Sequence, residues 1–295
     1  MKVATIGFFD GVHKGHQYLI RQVVDEAERI GGTPVCVTFA NHPRSVVEQM
    51  KGNSFAMKLL TTQEEKVMML KGLGIQEVSL LEFTPEIAMM SAYDFMSQVL
   101  KREMGVGVLV IGYDHRFGHN RSEGFDDYVR YGEEIGIRIV QAQAYEEDGI
   151  TVSSSLIREM LLQGRIADSR QLLGYDYFLE GVVVNGFHVG RRIGYPTANV
   201  EVASDKLVPC DGVYAVRVDV DGVMYGGMLN IGWRPTFNGN HRTIEVHLFD
   251  FDSNIYSEHI RIYFIDFIRP ERRFDSPEAL VSQLAEDEQQ AHRVL

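Results

Sequence analysis

The chain has 295 residues, with 45% apolar and 24% charged side chains, a formal net charge of −12 and two cysteines, Cys36 and Cys210. That charge excludes a surface built to track nucleic-acid phosphates, which needs an excess of Lys and Arg, and two distant cysteines exclude a disulfide framework or a zinc ribbon. No apolar run approaches the ~18 residues of a membrane span, so the expectation is a cytoplasmic protein of two domains, with small-molecule partners and neither nucleic acid nor membrane.

The first half alternates strand-like and helix-like segments. Val3 to Phe9 reads as a strand, with no room before it for a signal peptide. Gly15 to Ile30 is an amphipathic helix, with Leu19, Ile20, Val23, Val24 and Ala27 at helical spacing. Strands are predicted at Pro34–Phe39, Glu77–Phe83, Val106–Ile111 and Arg138–Ala142, and helices at Thr62–Leu73, Ala92–Met104 and Phe125–Ile135. Helices over 153–164 and 166–173 follow, with Asp168 in a first turn and Gly174 as the stop. This alternation predicts a mostly parallel sheet with helices on both faces.

Beyond Tyr175 short strand-like runs succeed one another: Tyr177–Val184, Gly212–Val220, Val223–Ile231, Thr243–Leu248 and Ile260–Ile268. Asn185-Gly186, Asp221-Gly222 and Asn238-Gly239-Asn240 mark turns. The reading is an antiparallel barrel or sandwich, closed by a helix from Pro277 to Leu295 with Ser276 as N-cap. The predicted domains are therefore 1–175, α/β, and 176–295, a small β-barrel with a C-terminal helix.

Chemistry concentrates after the first strand. Gly7-Phe8-Phe9-Asp10-Gly11-Val12-His13-Lys14-Gly15-His16 runs from a strand through a glycine-bearing loop into a helix start. In an open α/β sheet, ligands bind at the carboxyl ends of strands, which places Asp10, His13 and His16 at the site mouth. Gly15 lets a phosphate approach backbone N–H groups. Two imidazoles straddling that position can donate to phosphoryl oxygens as negative charge builds. The alternatives are an incidental surface pair, or a metal site, for which nothing nearby completes a ligand set. There is no GxxxxGK[ST] loop and no complete GxGxxG. Ser153-Ser154-Ser155 precede an apolar-periodic helix and read as caps. With Arg158 one turn in, they also form a pyrophosphate cradle.

The opening segment resembles the first signature of the HxGH nucleotidyltransferases, specifically their FAD synthetase branch, a Rossmann-like fold. Thr38-Phe39-Ala40-Asn41-His42-Pro43-Arg44 resembles that branch's TFxPHP loop, with Asn41 for Pro. Gly112-Tyr113-Asp114-His115-Arg116-Phe117-Gly118 with Arg121 resembles its GxDFRFGxxR loop, with His115 for an aromatic, and Val152 to Arg158 resembles its ISSTxIR motif, with Ser155 for Thr. The resemblance implies ATP and phosphate contacts at Gly7, Phe8, Asp10, Gly15, Ser153, Ser154, Ser155 and Arg158. It implies catalytic roles for His13 and His16, and flavin contacts at His42, Asp114, Arg116, Phe117 and Arg121.

In the second half, Pro196 fixes a turn after which Thr197 and Asn199 share one face of an extended segment. Their oxygens suit Mg²⁺, and Gly186, Gly190 and Gly194 let a nucleotide lie close to the backbone. An ordinary Gly/Pro loop is the other reading. Gly190 to Val200, Pro209 to Tyr214, Asn230 to Phe237 and Thr243 to Leu248 together resemble riboflavin kinase. The resemblance implies that Gly190 and Gly194 contact ATP, that Thr197 and Asn199 hold the metal, and that Glu245 is the base taking the proton of riboflavin's 5′-hydroxyl. His247 shares the Glu245 face of its strand, with a structural role expected. Arg269 to Phe274 is a solvated turn by default, and the resemblance implies closure over the flavin there, through Arg272.

From Gly7 to Phe274 the expectation is one enzyme with two activities: riboflavin and ATP to FMN, then FMN and ATP to FAD and pyrophosphate, with Mg²⁺ in both. The alternatives are a chain retaining one activity and a flavin-binding regulator without turnover. The sequence is compatible with self-association.

Overall fold

The computed structural model describes residues 1–55, 57–145, 151–185, 193–236 and 239–295. Gly186, Gly190, Phe237 and Asn238, singled out above, lie outside the described residues. By its contacts the chain divides into two compact units, Met1–Ser154 and Ser155–Leu295.

The first unit is a five-stranded parallel sheet in the order β3-β2-β1-β4-β5. The strands are β1 Lys2–Ile6, β2 Thr33–Phe39, β3 Glu77–Leu81, β4 Val106–Ile111 and β5 Arg138–Gln141. The central strands read as continuous apolar runs because both faces are covered. Ala4, Ile6, Val35, Val37, Leu109 and Ile111 pack into one core layer. Val3, Cys36, Val108 and Val110 pack into the other, against Ile20, Val23 and Ala27 of helix α1, Lys14–Ile30. Strand order reverses beside β1, which makes the carboxyl end of β1 the switch point at which such sheets bind ligands.

The elements differ from expectation in instructive places. β1 stops at Ile6, short of the predicted Phe9, because Phe9 adopts a left-handed conformation (φ 55°) and Asp10–Val12 turn as a 3₁₀ segment. Helices α2 (Pro43–Met50) and α4 (Pro85–Met89) were not expected. Each starts on a proline, whose missing N–H is harmless at a first helical position. The His42 and Thr84 side chains cap them. Between them, α3 runs over Gln63–Gly72 and opens with a Thr62–Glu65 capping box. The helix expected over Ala92–Met104 is α-helical only at Ala92–Asp94 (α5), and Phe95–Glu103 continues as a π-helix. α6 spans Phe125–Ile135 and ends on left-handed Gly136, as read.

The second unit is a closed antiparallel barrel in the order β10-β7-β6-β11-β8-β9, which settles barrel over sandwich. Its strands are β6 Phe178–Val184, β7 Ala198–Val202, β8 Gly212–Val220, β9 Val223–Thr236, β10 Gly239–Leu248 and β11 His259–Arg269. β7 was not expected, and β9 and β10 are longer than read. Asp221 and Gly222 both take positive φ at the β8–β9 turn, as a tight hairpin of primed type requires.

Two short helices, α7 (Ser154–Leu162) and α8 (Ile166–Leu173), lead into the barrel. Both bond to it: Cys210 N donates to Leu161 O at 3.2 Å, and Arg170 Nη2 to Ile265 O at 3.2 Å. The last helix, α9 (Pro277–Val294), starts with Ser276 Oγ accepting from Ala279 N. It is fastened by Arg269 of β11, which donates to both carboxylate oxygens of Asp287, at 2.9 and 2.7 Å.

Candidate active sites

In the first unit the predicted histidines come together. Their rings stack with centroids 3.6 Å apart. His13 Nδ1 accepts from His16 N at 3.4 Å, so the first imidazole caps the helix that carries the second. Glycines make this possible: a Cβ at Gly15 would stand 3.3 Å from the His13 ring, and one at Gly7 would stand 2.9 Å from the Phe9 ring. Phe9 in turn meets the His16 ring edge-on at 5.2 Å.

Burial makes both imidazoles neutral. His13 is 5% exposed, and loss of water pushes its pKa down to about 4. Burial also drives His16 well below the usual histidine range, with further lowering from His13, His115 and Lys66. The Nδ1 of His16 is buried and without a hydrogen-bond partner among the described residues. A neutral imidazole still carries one N–H donor.

Asp10 is buried, and its Oδ1 accepts from Leu60 N at 2.9 Å and Thr61 N at 3.2 Å. It therefore pins the 3₁₀ turn to the segment before α3. Ser154 Oγ donates to the Asp10 carbonyl at 2.9 Å. Ser153 belongs with it in the first unit, whereas Ser155 and Arg158 fall on the second unit's side of the division.

The other predicted residues of this unit separate into two groups. The His42 ring meets the Phe8 ring edge-on at 4.4 Å, which joins it to the end of β1. Asp114, Arg116 and Arg121 are exposed on the loop after β4. Phe117 is part of the core: it is 9% exposed and its ring stacks on Tyr128 at 4.5 Å. Its backbone N donates to Tyr128 Oη and its carbonyl accepts from it. Phe117 thus anchors this loop. Asn41, where proline was expected, donates through Nδ2 to Phe83 O at 3.0 Å and accepts from Phe83 N at 2.7 Å. Proline provides neither bond.

Sequence reasoning missed Lys66. It is 3% exposed, on the first turn of α3, and donates to Phe8 O at 3.2 Å and Phe39 O at 3.0 Å. Its only signal was the spacing of four residues from Leu70, which puts both on one helix face; that face also buries Glu65 and has no apolar periodicity to mark it.

In the barrel, β10 meets β7 at Glu245↔Asn199 and Val246↔Ala198. Glu245 is 7% exposed. Thr243 Oγ1 donates to its Oε1 at 3.3 Å, and Thr197 Oγ1 to its Oε2 at 3.4 Å. Antiparallel register therefore brings the end of the proline-fixed loop to Glu245, with Thr197 48 positions away in sequence. His247 Nδ1 lies 2.7 Å from Pro196 O and holds the same loop from the other side. The Tyr195 ring packs edge-on against His247 at 5.3 Å, and Tyr195 Oη donates to Glu288 of α9. A cavity opens here, lined by Thr197, Glu245, His247, Arg269, Arg272 and Phe274. Gly194 stands beside it with φ 84°. Arg272 lies over the Phe274 ring at 4.8 Å and bonds Gln283 of α9. Thr197 and Asn199 offer oxygen donors only, which fits a hard cation.

Family models for FAD synthetase and riboflavin kinase match residues 1–156 and 173–295. The chain is 36% identical over 98% of its length to the bifunctional riboflavin kinase/FMN adenylyltransferase of Listeria monocytogenes, covering 90% of that protein. It belongs to the bifunctional riboflavin kinase/FMN adenylyltransferase family. Relatives of the same name from Escherichia coli K12 and Bacillus subtilis are 35% and 34% identical, over 97% and 99% of this chain and 90% and 92% of theirs. A crystal structure described as a macrolide-efflux protein from Streptococcus pneumoniae superposes with a TM-score of 0.90 at 32% identity, over 99% of this chain and 94% of that one. No helix among the described residues of this chain is long and apolar enough to cross a membrane. As expected for this family, a parallel α/β unit precedes a closed barrel with a terminal helix.

Proposed function

We propose that the chain makes FAD in two steps: the barrel phosphorylates riboflavin to FMN, and the α/β unit adenylylates FMN. The observation that carries this reading is the presence of both family matches in one chain that spans about nine-tenths of its bifunctional relatives.

In the kinase step Glu245 takes the proton of riboflavin's 5′-hydroxyl. That oxygen bonds to the γ-phosphorus of ATP, the bond from the γ-phosphorus to the bridging oxygen breaks, and ADP leaves. The two threonine hydroxyls fix the carboxylate, so its basic oxygen is aligned before substrate arrives. Thr197 and Asn199 would hold Mg²⁺, which offsets charge on the phosphates when bound. Gly194, with Gly190 beyond the described residues, leaves the nucleotide close to backbone. Arg272 closes over the flavin.

In the adenylyl step a phosphate oxygen of FMN attacks the α-phosphorus of ATP. The bond from the α-phosphorus to the α,β-bridging oxygen breaks and pyrophosphate leaves. The nucleophile is already ionised, so the protein's work is alignment and charge stabilisation. His13 and His16 donate to the phosphoryl oxygens as neutral imidazoles. Gly7, Phe8 and Gly15 shape the floor of the ATP site, and Asp10 holds the turn above it. Ser153, Ser154, Ser155 and Arg158 take the leaving pyrophosphate. His42, Asp114, Arg116 and Arg121 contact FMN, on a loop anchored by Phe117. ATP-dependent chemistry and unpaired cysteines favour the cytoplasm as its compartment.

Incubation with riboflavin, ATP and Mg²⁺, followed by separation of the flavins, tests the proposal. FMN and then FAD are expected. FMN without FAD rules out the second activity, and untouched riboflavin with FMN still adenylylated rules out the first.

A further inference from the structure

Lys66 is the one buried Lys or Arg among the described residues of the first unit. An ammonium withdrawn from water is costly, and an apolar side chain at this position would avoid that cost. Two strand ends converge on it. Phe39 O is the last carbonyl of β2, and Phe8 O lies just past β1, where it also accepts from Thr38 Oγ1 at 3.1 Å. The ammonium sits 4.3 Å from the centre of the Phe8 ring, whose edge meets His42. The Thr62–Glu65 capping box sets the turn that carries Lys66, and the 60–61 backbone before it is pinned to Asp10.

We propose that Lys66 is a positioning residue of adenylyl transfer: its ammonium ties the ends of β1 and β2 together at the base of the histidine site and is the standing positive charge there. The proposal rests on the adenylylation reading above. Burial is the largest influence on His16, and the charges of His13, His115 and Lys66 lower it further. Burial pushes His13 and His115 to about 4, so both are uncharged at neutral pH. Lys66 is then the standing cation of the group: it adds to the burial that already holds His16 neutral, and its own charge is what the alkaline side removes. Burial also draws Lys66 itself down to about 8, against the opposing pull of Asp10 and Cys36. As pH rises through that value the ammonium loses its proton, and the positive charge beside His16 disappears.

The test measures FMN adenylylation by the full chain across pH values on both sides of 8, with riboflavin phosphorylation by the barrel as internal control. Wild type is expected to lose adenylylation kcat on the alkaline side. Lys66→Met is expected to lose about tenfold or more in kcat at neutral pH, with KM for FMN within about twofold and no alkaline limb. Lys66→Arg keeps its charge at every pH used, so it should recover most of the kcat and move the limb upward. In Lys66→Met, NMR titration of the His16 ring should move toward the ordinary histidine range. An unmoved His16 titration, or a Lys66→Met enzyme with wild-type kcat and limb, overturns the proposal. If Lys66→Met fails to fold, an unshifted limb in Lys66→Arg overturns it. If wild type makes no FAD from FMN, the adenylylation reading falls instead, and the His16 titration still reports whether Lys66 sets its charge.

Discussion

The Nδ1 of His247 lies 2.7 Å from the carbonyl oxygen of Pro196. A carbonyl only accepts, so Nδ1 carries the proton and the imidazole is fixed as that tautomer. The ring stands between Tyr195 and Phe249, at 5.3 and 5.9 Å, and braces the turn that delivers Thr197 to Glu245. His247→Ala should lower riboflavin phosphorylation about tenfold through a looser Thr197 and leave FMN adenylylation unchanged. His247→Gln, which can donate to the same carbonyl, should recover part of it. Equal kinase rates for all three proteins would show that the bond positions nothing.

Glu245→Gln keeps the two threonine contacts available but removes the basic oxygen. Kinase turnover should fall by about 10²–10⁴, with adenylylation of supplied FMN close to normal. His16→Ala should do the reverse, with a loss of about 10²–10³ in FAD formation. Assaying each half-reaction separately checks both, and a variant that lowers the two equally would refute the division of labour.

Asp287 is 1% exposed and accepts from Nε and Nη2 of Arg269, as well as from Gln283 Nε2 at 2.8 Å. Removing one partner strands a largely buried charge, so Asp287→Ala should destabilise the barrel by about 3–5 kcal/mol. Denaturant unfolding of the second unit measures this. A loss under about 1 kcal/mol, the range of an exposed pair, would mean that the Arg269–Asp287 pair does not fasten α9.

Stability of the first unit should depend on pH through buried His13 and half-buried His115. Both titrate at about 4 when folded and near 6.5 when unfolded. Between those values the unfolded chain binds more protons, so stability rises with pH across the window. It is fully present above about 6.5 and is lost as pH falls toward about 4. Denaturation midpoints at a series of pH values read the slope, and His13→Gln should flatten it. A midpoint constant through this window would mean that these imidazoles are not held neutral.

The alternation of strands and helices in the first half was legible because its strands are uninterrupted apolar runs, and the hairpin at Asp221-Gly222 because only a few residues tolerate both positive φ values. The histidine pair was legible from the glycine-bearing loop between a strand and a helix start, and Glu245 only through the resemblance carried by its segment. Other features were hidden for specific reasons. Pro43 and Pro85 look like breakers, yet each starts a helix. The π-stretch at Phe95–Glu103 leaves no periodicity distinct from an α-helix over so few residues. β7 is short and half polar, and it becomes a strand only because β6 and β10 flank it. Lys66 reads as a solvated cation until β1 and β2 are seen to end at its ammonium.

The barrel closes on itself through its own chemistry, since the β10–β7 junction consists of Glu245↔Asn199 and the pair beside it. A chain with every other strand pairing formed and this one open would hold nearly all of its sheet and none of the kinase site proposed above. On that assignment phosphorylation of riboflavin counts finished barrels, molecule by molecule. Adenylylation, drawn from an open sheet with two free edges, counts something else. The ratio of the two rates in a given preparation is thus a functional gauge of how much material has completed its second half, readable from a single flavin chromatogram.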